Sequence, residues 1–209
     1  MTLRRRHLLA LPALALPATL ATPARANPAI GAAAPTFIGT DSNGAAIALA
    51  QFAGKPVILE WTNDGCPYVR KWYGGGAMQD LQRQAAAMGA IWLSVISSPP
   101  GEQGFAEGPQ ANELTRTRNA APAHVLLDPD QKLARLYGAM VTPHMFIVDA
   151  QGKLAYMGGA DSIPSARAED IPRATPYVRD ALTALAAGQP IATQVTRPYG
   201  CVVKYRTQA

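Results

Sequence analysis

The sequence predicts an α/β layered domain, on three observations. Short apolar runs rich in β-branched residues recur at 56–61, 91–96 and 145–149, each with the length and composition of a buried strand. Stretches with helical patterning separate them. The last run turns at Gln151-Gly152 into a further strand-like segment at 154–157, and a final helix follows. Strand, helix, strand, helix and then a closing hairpin and helix is the order of a sheet covered by helices.

Each element has a local justification. Residues 27–55 form a lead-in segment, where Asp41-Ser42-Asn43-Gly44 is turn chemistry between 36–38 and 46–49, so a small hairpin is expected. Gly54-Lys55 punctuates before the first core strand at 56–61. Thr62-Asn63-Asp64-Gly65 follows, a loop whose side chains can cap a helix. That helix is expected from Cys66 onward, with Pro67 at a permitted first-turn position. Gly74-Gly75-Gly76 kinks or breaks it, and it resumes through 78–88 before Gly89 stops it. After the second strand come a Gly/Pro-rich loop at 97–109, a helix at 110–119, a short strand at 125–128 and a short helix at 131–137. Beyond the closing hairpin, a loop at 158–175 precedes the last helix, 177–187, which Gly188 ends. The tail is 189–209. No repeat or linker divides residues 27–209, which are read as one domain large enough to bury a core.

Residues 1–26 are set aside from the fold as a signal peptide. Arg4, Arg5 and Arg6 precede an uncharged apolar stretch at 8–20, and Ala24-Arg25-Ala26 is the small-x-small pattern of a cleavage site before Asn27. The stretch is too short and too proline-interrupted for a membrane span. The arginines followed by Leu8-Leu9 leave the general secretory and twin-arginine routes both open. Export to a periplasmic or similar compartment is the expectation. The full chain has 19 basic and 14 acidic residues, but four arginines leave with this segment and no acidic residue does, so the mature protein is close to neutral. No basic run with interleaved aromatics marks a nucleic-acid surface. The apolar fraction of 48% and the charged fraction of 16% suit a compact domain, not a disordered one.

Only two cysteines are present, Cys66 and Cys201, so this is no disulfide-stapled scaffold. A thiol at a helix N-terminus is favoured as the thiolate, because unpaired N–H groups and the helix dipole stabilise negative charge. Arg70 and Lys71, about one turn on, are candidates to add positive potential. Such a thiolate attacks disulfides or peroxides. Val141-Thr142-Pro143-His144 lies just before the third core strand, where a proline implies an edge, a turn or a cis bond. His124 precedes a strand and is assigned a packing role.

Trp61 ending a strand, Cys66-Pro67 opening a helix and Thr142-Pro143 before a later strand resemble the thioredoxin superfamily. Gly31-x-x-Ala34-Pro35-x-Phe37, then Asp41-Ser42-Asn43-Gly44 and Gly54-Lys55-Pro56-Val57, narrow the likeness to its redoxin branch of alkyl hydroperoxide reductase/thiol-specific antioxidant proteins and thioredoxin-like reductases. It covers roughly residues 29–187. The resemblance implies a three-layer α/β/α thioredoxin-like fold, here with an N-terminal hairpin and a C-terminal tail, and antioxidant or thiol–disulfide chemistry. Cys66 would be the attacking cysteine. Pro143 would be the cis-proline beside it, leaving neighbouring backbone free to pair with a substrate strand. Thr142 and His144 would flank that surface, and Trp61 would lie on the strand below the active-site loop.

The chain departs from the pattern as well. Cys66-Pro67-Tyr68-Val69 ends in valine where thioredoxins carry a second cysteine. Asn63 occupies the place of the peroxiredoxin threonine, and Leu59 that of its proline. Cys201, in Arg197-Pro198-Tyr199-Gly200-Cys201, could resolve an adduct on Cys66 or form a structural disulfide that pins the tail, if the two Cα atoms come within about 7 Å. The leading expectation is an exported thiol–disulfide oxidoreductase acting on protein or small-molecule thiols and disulfides. The alternatives are a thiol peroxidase and, from another class, a non-catalytic binding module or metal carrier. His144 with the two cysteines would be a soft metal set, but the spacing of a metal motif is missing, so neither metal nor cofactor is assigned.

Overall fold

A computed structural model describes residues 28–207. The expected signal segment therefore lies outside the described residues, as do the last two of the tail. The central sheet has seven strands in the order β2-β1-β5-β4-β3-β7-β8. These are β1 (Ile38–Asp41), β2 (Ala46–Ala48), β3 (Val57–Trp61), β4 (Ile91–Ile96), β5 (His124–Leu127), β7 (His144–Val148) and β8 (Leu154–Gly158). Two short strands, β6 (Val141–Thr142) and β9 (Cys201–Val202), pair apart from it. Strands β3, β4 and β5 run parallel, and β7 returns antiparallel to β3.

Burial on both faces explains the continuous apolar runs. Every residue of β3 is buried. Its odd positions, Val57, Leu59 and Trp61, face one layer with Leu133, Ala134 and Tyr137 of α4 (Lys132–Tyr137) and with Phe37 and Ile47 of the lead-in segment. Ile58 faces the other, against α1 (Pro67–Gly74), α2 (Ala77–Ala87) and α5 (Tyr177–Ala186) through Val69, Trp72, Leu81, Val178 and Leu182. A smaller cluster beneath α3 (Gly108–Thr117) joins Ala111 to Ile96 and Val125. This is the three-layer α/β/α thioredoxin-like arrangement. Among the described residues, no helix is long and apolar enough to cross a membrane.

Several local expectations shift. The loop before α1 does not cap it with a side chain: Cys66 is the N-cap residue without a cap bond, and Asn63 Oδ1 instead accepts the Gly65 N–H at 2.9 Å. The glycine triplet breaks the helix outright, and Gly76 takes φ 82° before α2. Helix α3 starts two residues early because the Gln110 side chain accepts the Glu107 N–H at 3.0 Å, closing a capping box. The hairpin is an integral part of the sheet, since β1 also pairs with β5. His124 does more than pack: its ring meets Asp41 at 2.9 Å and ties β5 to the hairpin turn.

Candidate active site

Strand β3 delivers the chain to a tight turn in which the Cys66 N–H donates to the Asn63 carbonyl at 3.1 Å. Cys66 then starts α1: its carbonyl accepts the Arg70 N–H at 2.9 Å, and Pro67 takes the first helical position, where no N–H is needed. Pro67 itself is exposed. The Cys66 thiol is fully buried and donates to the Thr142 carbonyl at 3.1 Å. The Thr142–Pro143 peptide is cis. Cys66, Thr142 and Pro143 thus meet at one corner, where β6 passes the start of α1.

The tail completes that corner. Cys201 pairs directly with Thr142 in the antiparallel β6–β9 ladder, and Val202 pairs with Val141. Cys201 packs against the same cluster that buries Cys66, and both thiols are free. Gly200 makes the approach possible: with φ 146°, a Cβ there would stand 1.9 Å from the Thr142 carbonyl oxygen. The expectation that backbone beside Pro143 is left free for a substrate strand is therefore corrected. The protein's own tail occupies it.

The two thiols are not equivalent. Burial alone would push Cys66 up, but the side chains of Cys201 and Thr142 and the backbone of Val69 and Cys201 outweigh that, leaving its pKa lowered. Valine at the usual second-cysteine position still contributes, through its backbone. Cys201 moves the other way, raised by burial and by the hydrogen bond and charge of Cys66. Of the two thiols, Cys66 is the easier to ionise and Cys201 the harder.

The cations of α1 do not serve the thiol. Arg70 Nε donates to the Asp64 carbonyl at 3.0 Å, and Lys71 is buried against Asp161 at 2.8 Å. His144 is buried, and its Nδ1 accepts the Met140 N–H at 3.2 Å while the ring lies tilted by 44° against Phe146, centroids 4.4 Å apart. Burial lowers its pKa to about 4, so the ring is neutral at pH 7. Trp61 points into the opposite layer, edge-on to Phe146 at 5.2 Å, with its Nε1 donating to Ser97 at 3.0 Å. It supports the strand and does not face the thiol. Among the described residues, no three His, Cys, Asp or Glu side chains stand close enough to hold a metal ion.

Other buried polar groups carried weaker sequence signals. Glu60 sits in the middle of β3, fully buried, and accepts from Trp92 Nε1 at 2.9 Å, Ser94 at 3.1 Å and the Tyr73 hydroxyl at 2.9 Å. Burial raises its pKa. A carboxylate inside an apolar strand was a visible signal for it. Asp161 and Tyr199, which meet Lys71, had none. Beside them an open groove of about 480 Å³ runs past Val141, Arg197 and Gly200.

Solved structures share this fold. A hypothetical protein from Sinorhizobium meliloti 1021 matches with a TM-score of 0.73 at 21% identity, over 86% of this chain and 96% of that one. An uncharacterized conserved protein from Geobacillus kaustophilus matches with a TM-score of 0.73 at 22% identity, over 87% and 94%. A putative thiol:disulfide interchange protein DsbE from Chlorobium tepidum matches with a TM-score of 0.51 at 24% identity, over 63% and 85%. No curated protein matches the chain. The model of the AhpC/TSA family matches residues 30–157, more than half the chain, from within the lead-in segment into β8, and on that match the chain belongs to the AhpC/TSA family.

Proposed function

We propose that this protein is an exported thiol oxidoreductase in which Cys66 is the nucleophile and Cys201 resolves its adduct. The observation that carries the reading is the β6–β9 ladder, which sets Cys201 opposite the residue whose carbonyl takes the Cys66 thiol. The Cys66 thiolate attacks a substrate disulfide, forms a mixed disulfide and releases one substrate thiolate. Cys201 then gives up its proton and attacks Cys66 Sγ, expelling the second thiolate. The substrate disulfide is reduced by two electrons and the Cys66–Cys201 disulfide forms. Part of what holds the Cys201 proton is the charge on Cys66, and that charge disappears once the adduct forms. Resolution is thereby favoured only after attack.

Oxidised glutathione tests this. The reduced protein should lose two hydrogens by mass and yield a Cys66–Cys201 cross-linked peptide, while Cys201→Ser should stop at a stable glutathione adduct on Cys66. A wild-type protein that keeps the adduct and never forms the internal bond would sink the reading. The export half predicts that the chain recovered from an export-competent host starts at Asn27, read by N-terminal sequencing.

A second reading, thiol peroxidase, draws on the occupied β6 edge. An extended peptide cannot pair there while the tail is docked, whereas a peroxide needs little room. In that case Cys66 is oxidised to the sulfenic acid as the peroxide is reduced, and Cys201 condenses with it, releasing water. Stopped-flow mixing with hydrogen peroxide decides: consumption no faster than by free cysteine removes this reading.

A further inference from the structure

Helix α1, which Cys66 opens, and the tail, which carries Cys201, are joined by a second contact further along the helix. Lys71 Nζ spends all three of its protons there: on Asp161 Oδ2 at 2.8 Å, on the Ile163 carbonyl at 3.0 Å and on the Tyr199 hydroxyl at 2.9 Å. The Tyr199 hydroxyl donates in turn to Asp161 Oδ1, which also accepts the Ile163 N–H at 3.0 Å. The Lys71 and Asp161 side chains are both buried. The Tyr199 ring stands edge-on to Tyr68 of the same helix, with centroids 5.8 Å apart. Every donor of the ammonium is satisfied, so the cluster has one favourable arrangement and the tail has one place to stand.

We propose that Lys71, Asp161 and Tyr199 are positioning residues that hold Cys201 against Cys66. This deepens the reading of the two cysteines as a redox pair and rests on it. The β6–β9 ladder is only two residues long, too short to fix a strand unaided. Gly200 separates Tyr199 from Cys201 and lies against the Thr142 carbonyl, so a Tyr199 hydroxyl anchored to α1 leaves Cys201 little freedom. Restricting a tethered group in this way raises its effective concentration at its target. The latch therefore favours closing the Cys66–Cys201 bond without touching either sulfur.

The test is the equilibrium of the full-length mature protein with reduced and oxidised glutathione, which gives the effective concentration of Cys201 at Cys66. Two cysteine thiols are oxidised to the internal disulfide as one oxidised glutathione becomes two reduced ones. Tyr199→Phe keeps the ring and deletes the hydroxyl, and it should lower the effective concentration about tenfold. Asp161→Glu, which displaces the carboxylate by one methylene, should lower it too and serves if the first variant folds poorly. Ile47→Val, a mild core change on β2 at the far edge of the sheet, should leave it at the wild-type value. An unchanged value in Tyr199→Phe, or an equal fall in Ile47→Val, overturns the positioning role while leaving the redox pair intact. A wild-type protein that closes no internal disulfide at any glutathione ratio overturns the redox pair itself, and the latch with it.

Discussion

The two extensions of the core, the hairpin and the tail, differ in how much of their attachment is sheet pairing. The hairpin β1–β2 joins by backbone and by apolar burial: β1 pairs with both β2 and β5, and Phe37 and Ile47 enter the core. The tail buries Ile191 and Val203 and bridges to Met157 of β8, but around Cys201 it has only a two-residue strand, and side-chain bonds add to its hold. Besides the Lys71 cluster, Gln131 donates to the Lys204 carbonyl at 2.7 Å and accepts the Arg206 N–H at 2.8 Å, and the Tyr205 hydroxyl donates to the Ala139 carbonyl at 2.6 Å. A segment paired into the central sheet opens with the core, whereas one held by a short ladder and a few polar bonds opens locally. The second kind suits an element that must move aside before a reagent reaches the fully buried Cys66 thiol.

The sharpest way to break this contrast is Asp161→Asn. It leaves the Lys71 ammonium buried without its carboxylate, and losing one partner of such a pair costs about 3–5 kcal/mol. Urea unfolding should show that loss, together with faster alkylation of Cys66 by iodoacetamide in native buffer. A variant as stable as wild type would show that the tail is not held by this pair.

Acid should weaken the fold through His144 of β7 before it reaches Asp41 of the hairpin. His144, just behind Pro143, is held at about 4 by burial, below its ordinary 6.5. Between those values the unfolded chain binds a proton that the folded chain refuses, so stability is complete above the upper value and falls as pH drops toward the lower. The whole window amounts to about 3 kcal/mol. At Asp41 burial would raise the carboxyl, but the His124, Ala45 and Asn43 donors outweigh it and hold it below its ordinary 3.8. Its contribution is present above that value and is lost only as pH falls below it. Urea midpoints at pH 7 and pH 4.5 should converge in His144→Gln and separate in wild type. Equal separation in both would remove His144 as the cause.

The smallest of the three effects comes from Gly200→Ala, whose added methyl has no room beside the Thr142 carbonyl. The ladder should shift outward, and Cys66 alkylation should rise about tenfold, the equivalent of about 1.4 kcal/mol of docking. Ile47→Val in the hairpin should cost about 0.5–1.5 kcal/mol of stability and leave that alkylation rate alone. If both variants alkylate alike, the two extensions are not coupled differently to the thiol.

Particular residues show why some features were legible and others not. The core strands announced themselves because burial on both faces leaves mostly apolar residues, and Pro67 beside Cys66 marked a helix start because proline is tolerated there. Lys71 was visible only as a helical lysine. Whether it reached solvent, the thiol or a buried aspartate depended on Asp161, whose position follows from how the chain leaves β8. Arg70, its neighbour, turned outward to the Asp64 carbonyl. Nothing in the pattern around the two residues distinguishes those outcomes.

From the order of its residues alone this protein's layered fold, the station of Cys66 at the head of a helix and that of Pro143 at a strand entrance could be derived. Each rests on a local rule: strand alternation or continuous burial, the geometry of a first helical turn, the missing N–H of proline. Only the tertiary structure decided that the tail returns to Cys66, that Cys201 stands opposite Thr142, and that a buried lysine bonds to Tyr199 two residues before it. The physical reason is range. Thr142 and Cys201 are 59 residues apart, and two ladder residues with a handful of polar bonds leave no periodicity in the chain to read.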